Sequence, residues 1–312
     1  MGGTKIESAI FKVESNDTGN VPQLQKLSSR RIPTEKNNKY EIIIENIINS
    51  THKTINEAGV HKTDISCVGF SLNGSICPST GVFLNGGTPS FVGKKLGEDI
   101  LTALSLQVPC ALGNDANCFA LAETAVGAAK DHFQNGSVLG VILGTGLGGG
   151  LVLNGNIITG ARGAGFEVGH IPFTFENRDC YCGAKGCAET VISGQGLEKT
   201  YTLLSLQKAT GEEIIELYHR NDVHAVKAVE HFRKNLSYFL AQTTNLLDPD
   251  AFVFGGGLSN VSALFEGVEE SMKEHLFVKQ NSPHLLFNQL GDSSGILGAA
   301  YLAIDQKEAE SH

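Results

Sequence analysis

The chain has 312 residues, of which 41% are hydrophobic and 18% are charged, and its formal net charge is −9. This composition is that of a globular protein large enough for two domains of ordinary size, and it excludes a disordered chain. The negative charge argues against a nucleic-acid surface, because binding to phosphates requires clustered Lys and Arg. A small molecule is therefore the expected partner.

The sequence lacks the signals of a membrane or secreted protein. No apolar run approaches the roughly 20 residues that a membrane-spanning helix needs. The N-terminal residues Met-Gly-Gly-Thr-Lys also lack the long apolar core of a signal peptide. We therefore expect a cytoplasmic protein.

Short apolar or β-branched runs that end in glycine turns alternate along the chain with helical patterns. In the longest helical pattern, apolar residues between Val226 and Leu247 recur with a period near 3.6. This alternation predicts an α/β fold. Helices are predicted, in chain order, over Tyr40 to Glu57, Leu96 to Leu106, Phe119 to Ala129, Gly194 to Leu206, Glu212 to His219, His224 to Asn245, Ala263 to His275 and Ile296 to Asp305.

The chain is expected to form two domains. The segment Asn114-Asp115-Ala116-Asn117 closes a first half, and a second glycine-rich half begins near Val138. We predict an N-terminal domain over 1–117 and a C-terminal domain over 118–295, with a helix at about 296–312 packing back on the first. A cleft between two such domains is where a ligand usually binds.

The segment from Glu167 to Glu189 contains a histidine and three cysteines between its two terminal glutamates. One imidazole and three thiolates are the ligands of a closed tetrahedral Zn²⁺ site, which leaves no position for a reactive water. A disulfide or an unrelated thiol cluster is the alternative, but a chain without a secretory signal keeps its thiols reduced. We predict a structural zinc ion bound by His170, Cys180, Cys182 and Cys187.

Two glycine-rich segments have the chemistry of an anion cradle. In the segment Gly144 to Gly150, glycine permits several N–H groups to converge on one anion, and Thr145 adds a hydroxyl. Gly2-Gly3-Thr4-Lys5 offers a shorter turn with a hydroxyl and an ammonium group. The longer segment lacks the Lys-Ser/Thr ending of a P-loop and continues as a strand where a dinucleotide fingerprint requires a helix. Plain hairpin turns are the alternative for both segments.

Asp115 is the candidate general base. It lies between the apolar segment Val108 to Leu112 and the helix predicted from Phe119, so its carboxylate is expected to project into the cleft. A carboxylate there accepts a proton from an attacking hydroxyl. The alternative is a helix N-cap or an Asx turn, for which Asn114 and Asp115 are both well suited.

Taken together and in order, these motifs resemble those of the bacterial ROK sugar kinases. The similarity runs from residue 1 to about residue 304, and the cysteine run with its downstream glutamate is its most specific part. The resemblance implies the actin-like ATPase (ribonuclease H-like) fold, with two α/β domains that close over ATP and sugar. The matching motifs are Gly2-Gly3-Thr4-Lys5, Asn114-Asp115-Ala116-Asn117, Leu143-Gly144-Thr145-Gly146, Glu167-Val168-Gly169-His170, Cys180 to Glu189 and Phe254-Gly255-Gly256-Gly257.

The resemblance also implies a role for each matched residue. Asp115 is expected to deprotonate the C6 hydroxyl of a hexose for attack on the γ-phosphate of ATP, with Mg²⁺ on the phosphate oxygens. His170 is expected to ligate zinc through one ring nitrogen and to reach a sugar hydroxyl with the other. The implied sugar ligands are Gly74, Asn114, Asp115, Glu167, His170 and Glu189. The implied nucleotide ligands are Gly2, Gly3, Thr4, Lys5, Gly144, Thr145, Gly146, Gly148, Gly149, Gly255, Gly256 and Gly257.

Members of this family differ in the hexose that they phosphorylate. D-glucose is the expected substrate, because it is the commonest in the group, and N-acetylglucosamine, fructose and mannose are the alternatives. The segment Asn117 to Leu121 resembles N-acetylglucosamine kinases, whereas Cys180 to Gly183 resembles fructokinases and mannokinases. Gly86-Gly87 either leaves space for an N-acetyl group or forms a turn. The resemblance further implies a homo-oligomer, either a dimer or a tetramer.

Two features bear on whether the chain is an active kinase. In the family an Asp usually lies two residues before the first glycine, a position that here would precede Met1. We therefore expect either that the true start lies several residues upstream of Met1 or that the enzyme is weakened. The family also includes sugar-responsive repressors, which makes a non-catalytic sugar sensor the alternative. Those repressors carry an N-terminal winged-helix domain, whereas the first residues here already match a phosphate loop.

Overall fold

The computed structural model describes residues 5–14, 21–172 and 176–310. The chain divides into two compact units. Unit 1 consists of Met1–Gly127, Asn156–Gly165 and Leu290–His312, and unit 2 consists of Ala128–Gly155 and Phe166–Gln289.

Unit 1 combines three pairs of strands with four helices among its described residues. β1 pairs with β2 antiparallel, β3 with β6 parallel, and β4 with β5 antiparallel. Its elements are β1 (Lys5–Glu14), β2 (Gln23–Pro33), α1 (Tyr40–Ala58), β3 (Val68–Leu72), β4 (Gly74–Ile76), β5 (Phe83–Gly86), α2 (Leu96–Leu104), β6 (Cys110–Asn114), α3 (Asp115–Ala125), the two-residue β9 (Asn156–Ile157) and α8 (Ser294–Glu310).

Unit 2 has four strands in the order β11, β10, β7, β8. The first three are parallel, and β8 returns antiparallel to β7. The apolar side chains of β7 and β10 are mostly buried on both faces, as parallel strands covered by helices require. The elements are β7 (Ser137–Leu143), β8 (Leu147–Leu153), α4 (Gly194–Ser205), α5 (Gly211–His219), α6 (Val223–Leu247), β10 (Ala251–Gly255), α7 (Val268–Glu274) and β11 (His284–Phe287).

The eight helical patterns of the sequence correspond to the eight α-helices of the described residues. Four of their boundaries differ from the prediction by more than two residues: the beginnings of α3 and α7 and the ends of α3 and α8. α3 begins at Asp115 rather than at Phe119, because Asn114 caps it, and α7 begins at Val268 because a separate 3-10 turn forms over Ser262–Leu264. No helix of the described residues has the length and apolar character needed to cross a bilayer.

The first boundary between the units lies after Gly127 rather than after residue 117. The reason is that α3 packs on α8 and therefore stays with unit 1. The buried carboxylate of Glu123 on α3 strengthens this packing, because its Oε1 accepts hydrogen bonds from Leu290 N at 3.0 Å and from Ser294 Oγ at 3.1 Å. α3 thereby holds the beginning of α8.

α8 approaches its neighbours so closely that two glycines are needed at the contacts. A Cβ at Gly298 would lie 1.8 Å from the carbonyl oxygen of Cys118 on α3. A Cβ at Gly69 of β3 would lie 1.8 Å from the carbonyl oxygen of Ala299. The close contacts with the backbones of α3 and β3 therefore fix the position of α8 in unit 1.

We expect Gly298→Ala to destabilise the protein by roughly 2 kcal/mol, because the added methyl group forces α8 away from α3. Gly295→Ala on the same helix is the matched control, since its Cβ would meet only Ser71 Oγ at 3.4 Å. That substitution should be neutral or stabilise by roughly 0.5 kcal/mol through the higher helix propensity of alanine. Urea unfolding followed by circular dichroism measures both changes, and equal stabilities would contradict the close packing.

Candidate functional site

Asn114 lies at the junction of β6 and α3 and fixes the local geometry there. Its Oδ1 accepts a hydrogen bond from Ala116 N at 2.8 Å, and its Nδ2 donates to the carbonyl oxygen of Gly74 at 3.2 Å. Asp115 Oδ1 accepts from the same Ala116 N–H at 2.9 Å. Asn114 is thus an N-cap, the structural role that the sequence left open, and it also joins the Gly74 loop to the beginning of α3.

Gly74 is required by its surroundings. A Cβ at this position would lie 2.3 Å from the carbonyl oxygen of Asn85 and 2.3 Å from Phe83 Cζ. The close packing of β4 on β5 therefore keeps the Gly74 carbonyl beside Asn114. Three predicted sugar ligands, Gly74, Asn114 and Asp115, are brought together in unit 1 in this way.

Asp115 also lines a cavity of about 210 Å³ in unit 1, together with Lys5 and Asp292. Lys5 Nζ donates to Asp292 Oδ2 at 2.7 Å, and this bond is the main cause of the lowered pKa of the Asp292 carboxyl. Sequence reasoning assigned no role to Asp292, because its glycine-flanked turn carries no signal of a contact with β1. Gly2, Gly3 and Thr4, predicted to bind phosphate beside Lys5, lie outside the described residues.

In unit 2, Gly144-Thr145-Gly146 forms the tight turn between β7 and β8. The turn leans on the beginning of α4, since Gly194 N donates to the carbonyl oxygen of Gly144 at 2.8 Å. It also approaches Gly256, where φ is 82° and a Cβ would lie 2.4 Å from the carbonyl oxygen of Leu143. The glycine segments at the ends of the adjacent parallel strands β7 and β10 thus lie together at the beginning of α4, whose Gln195 N–H also donates to the turn, to the carbonyl oxygen of Thr145 at 3.3 Å.

Gly148 and Gly149 do not belong to this turn, although the sequence grouped them with it. They lie in β8, paired with Ile142 and Val141 of β7. A Cβ at Gly149 would lie 2.6 Å from a methyl group of Val168. Gly149 therefore provides room for the segment that carries Glu167.

Glu167 precedes and His170 ends a short 3-10 helix, Val168–His170, that packs on β8. A Cβ at Gly169 would lie 2.2 Å from the carbonyl oxygen of Leu147, so this packing depends on glycine. Glu189 approaches the same strand from the far end of the cysteine loop, where its Oε2 accepts from Leu147 N at 3.0 Å. Unit 2 therefore brings Glu167, His170 and Glu189 to the beginning of β8.

The four predicted metal ligands converge. Their ligand atoms all lie within 4.8 Å of one another, with 3.6 Å between Cys180 Sγ and His170 Nδ1 and 3.7 Å between Cys182 Sγ and Cys187 Sγ. Tetrahedral zinc requires roughly 3.6 Å between S and N ligands and roughly 3.8 Å between two S ligands. The donor set and its spacing therefore fit Zn²⁺, and the three cysteines are free thiols rather than a disulfide.

The buried guanidinium of Arg178 attaches the cysteine loop to the rest of unit 2. Its Nη1 donates to the carbonyl oxygen of Thr190 at 2.9 Å and to Thr200 Oγ1 on α4 at 3.0 Å. Its Nη2 lies 2.6 Å from Glu176 Oε2, and Glu176 also contacts His231 of α6. The sequence indicated no role for Arg178, because its partners Thr190 and Thr200 lie 12 and 22 residues away along the chain.

Tyr181 lies against the ring nitrogen of His170 that does not face the thiols. His170 Nε2 is 3.0 Å from the Tyr181 hydroxyl oxygen, and the two rings meet edge to face. The Tyr181 side chain is 80% exposed, although its hydroxyl end is turned toward the cluster. Partial burial of the hydroxyl and then the charge of Glu189 raise the pKa of Tyr181 to about 12.

Comparison with known proteins places this geometry in one family. The model of the ROK family matches residues 1–306. The N-acetyl-D-glucosamine kinase of Pasteurella multocida is 34% identical over 317 residues, which cover 98% of each chain. The crystal structure of the ROK hexokinase from Thermus thermophilus superimposes with a TM-score of 0.85 and 29% identity, covering 100% of this chain and 98% of that one.

A ROK family glucokinase from Streptomyces griseus, solved in complex with glucose and AMPPNP, has a TM-score of 0.75 and 26% identity. The match covers 98% of this chain and 97% of that one. The chain therefore belongs to the ROK family, and the predicted actin-like ATPase fold is confirmed.

Cys182→Ser should abolish stoichiometric metal binding, because the site would retain only two thiols and an imidazole. Metal content per chain, measured by inductively coupled plasma mass spectrometry after purification without added metal, tests this. Cys67→Ser, a thiol outside the cluster, is the control and should leave the metal content unchanged. Equal metal in the Cys182 variant, or none in the unmodified protein, would contradict the site.

Proposed function

We propose that this protein is an ATP-dependent hexose kinase that phosphorylates the C6 hydroxyl of N-acetyl-D-glucosamine. The observation that carries the proposal is the position of Asp115, held at the N-terminus of α3 beside Asn114 and lining a cavity with Lys5. Membership of a family whose similar members are named sugar kinases over nearly their whole length supports the same reaction.

In the proposed reaction, the carboxylate of Asp115 takes the proton of the C6 hydroxyl as the C6 oxygen forms its bond to the γ-phosphorus. The bond from that phosphorus to the bridging oxygen breaks, and ADP leaves with the bonding electrons. Asn114, by capping α3 and binding the Gly74 carbonyl, keeps the base at a fixed position. Positioning of this kind is the main contribution that phosphoryl transfer asks of a protein.

The nucleotide is assigned to the glycine segments of unit 2. Thr145 and Gly146 lie with Gly144 in the turn between β7 and β8, where the Gly144 N–H donates to the carbonyl oxygen of Gly146 at 3.0 Å. Gly255 ends the adjacent strand β10, and Gly256 and Gly257 follow it. Mg²⁺ bound to the nucleotide would neutralise phosphate charge, as it does in phosphoryl transfer generally. Lys5, paired with the carboxylate of Asp292, is the cation that we assign to the transferred phosphate.

The expectation of glucose is not supported by the named relatives, and N-acetyl-D-glucosamine fits them better. Relatives from several genera that bear this name, among them the one from Vibrio cholerae, are 32 to 34% identical over 97% or more of the chain. We do not base this choice on Gly86 and Gly87. A Cβ at Gly86 would lie 2.2 Å from the carbonyl oxygen of Asn73, so glycine there permits the close pairing of β5 with β4.

Zinc, in this proposal, has a structural task. The closed ligand set His170, Cys180, Cys182 and Cys187 would hold the loop between Glu167 and Glu189, whose carboxylates are assigned to sugar hydroxyls. Carboxylates accept strong hydrogen bonds from vicinal hydroxyls, which suits a polyol.

Asp115→Asn should lower kcat by about 10²- to 10⁴-fold while the sugar dissociation constant stays within about twofold, because the amide retains size but accepts no proton. A coupled assay of ADP release and isothermal titration calorimetry measure the two quantities. Asp131→Asn, an exposed carboxylate outside the assigned site, is the control and should have normal turnover. Near-normal kcat in the Asp115 variant would remove Asp115 from the role of base.

The substrate is tested with N-acetylglucosamine, N-acetylmannosamine, glucose, fructose and mannose in the same ADP-release assay. We expect kcat/KM for N-acetylglucosamine to exceed that for glucose at least about tenfold, which corresponds to roughly 1.4 kcal/mol from contacts to the acetamido group. A preference for glucose would contradict this assignment but not the kinase activity. Sugar binding without ADP release for any hexose would instead indicate a sensor.

A further inference from the structure

Two cationic side chains of unit 1 meet at one carboxylate oxygen. Lys5 Nζ donates to Asp292 Oδ2 at 2.7 Å, and Arg31 Nη1 donates to the same oxygen at 3.3 Å. Glu7 is the cross-strand partner of Arg31, and Lys5 lies two residues before Glu7 on β1. Lys5 and Arg31 are therefore diagonal neighbours on one face of the β1–β2 pair, which directs two positive charges to one point.

The guanidinium of Arg31 is held in its orientation by a second carboxylate. Arg31 Nε donates to Glu7 Oε2 at 2.7 Å, and the Glu7 side chain is only 13% exposed. This bond uses one edge of the guanidinium and leaves its Nη1 directed at Asp292. A guanidinium presents its donors in a rigid fork that matches the oxygens of a phosphate. Arg31 is thus a phosphate donor already oriented.

The Asp292 carboxylate itself is weakly held. Its side chain is 70% exposed and belongs to the short 3-10 turn Gly291–Ser293 before α8. Exposed ion pairs contribute little to stability, because water and salt screen them. A phosphate has more charge and more acceptor oxygens than a carboxylate, so the same donors bind it more strongly. Asp292 therefore lies where a phosphate oxygen would replace its carboxylate.

The charges of the cluster support an exchange of anions. The two cations are balanced by the carboxylates of Glu7 and Asp292, so a phosphate that approached the intact cluster would meet no net attraction. If the Asp292 side chain turns into solvent, one net positive charge is left for the phosphate. Asp292, Lys5 and Glu7 line the same cavity of about 210 Å³ as the candidate base Asp115.

We propose that Arg31 binds the transferred phosphate of ATP together with Lys5, and that Asp292 is their internal counter-ion, which this phosphate displaces. The step exchanges one ion pair for another and changes no covalent bond. The inference rests on the proposed kinase activity, in which Lys5 receives that phosphate. It adds a second cation and a displaceable carboxylate to the site.

Arg31→Gln should raise the dissociation constant of Mg²⁺-ATP, measured by calorimetry without sugar, about three- to tenfold, as for one lost charge-assisted hydrogen bond at a partly exposed position. KM for ATP should rise with it, whereas KM for N-acetylglucosamine and the melting temperature should stay unchanged. Arg30→Gln is the matched control. Arg30 is the next residue on β2 but pairs with Glu57 of α1, so its substitution should leave both ATP constants unchanged.

Asp292→Asn should have the opposite effect, because it removes the competing charge. We expect ATP to bind about two- to fivefold more tightly, the range of an exposed ion pair. The gain should shrink at high salt, which screens exposed charges. Glu308→Gln removes one negative charge at an exposed position near the end of α8 and should leave ATP affinity unchanged.

Unchanged ATP affinity in Arg31→Gln would overturn the inference. Unchanged or weaker ATP binding by Asp292→Asn would also overturn it, since the ion pairs would then serve only to attach the β1–β2 pair to α8. Either result leaves the kinase assignment intact if the unmodified protein releases ADP with a hexose. If the variants shift ATP affinity as expected but no hexose causes ADP release, the proposed function fails and the phosphate site remains.

Discussion

The hydrogen bond from the backbone N–H of Leu147 to the carboxylate of Glu189 is the interaction on which the candidate site of unit 2 depends. It joins the end of the cysteine loop to the turn between β7 and β8. Gly146 makes the bond possible, because a Cβ there would lie 2.3 Å from Glu189 Oε2. The Glu189 carboxylate thus joins the turn that we assign to phosphate to the loop that we assign to sugar. This contact requires that residue 146 has no side chain.

The cysteine loop is held at three places by different chemistry. The cluster of His170 and three cysteines offers a metal the ligands of a closed site, the Arg178 guanidinium donates to α4 and to the Thr190 carbonyl, and Glu189 binds β8. A loop fixed in this way presents the two flanking glutamates in one arrangement. A binding group contributes most to affinity when it is already in place before the ligand binds. The structural role that we assign to the metal is to help hold the loop in this arrangement.

In unit 1, packing and hydrogen bonds among the described residues fix the candidate base. α8 packs against α3 and β3 through Gly298 and Gly69, and the buried Glu123 carboxylate binds the beginning of α8. The same helix α3 carries Asp115 in its first turn. The position of the candidate base is thus set by backbone contacts deep in unit 1, and a methyl group added at residue 298 would disturb it from a distance.

The sequence by itself determined the α/β class, the eight helices of the described residues and the four candidate metal ligands, because these follow from local periodicity and from ligand spacing within a short segment. Only the tertiary structure decided that Gly148 and Gly149 are strand residues, that α3 remains in unit 1, and that Asp292 contacts Lys5. It also placed Tyr181 on His170 and Arg178 on α4. These contacts depend on how the chain packs in three dimensions, and the spacing of residues along the sequence does not predict them.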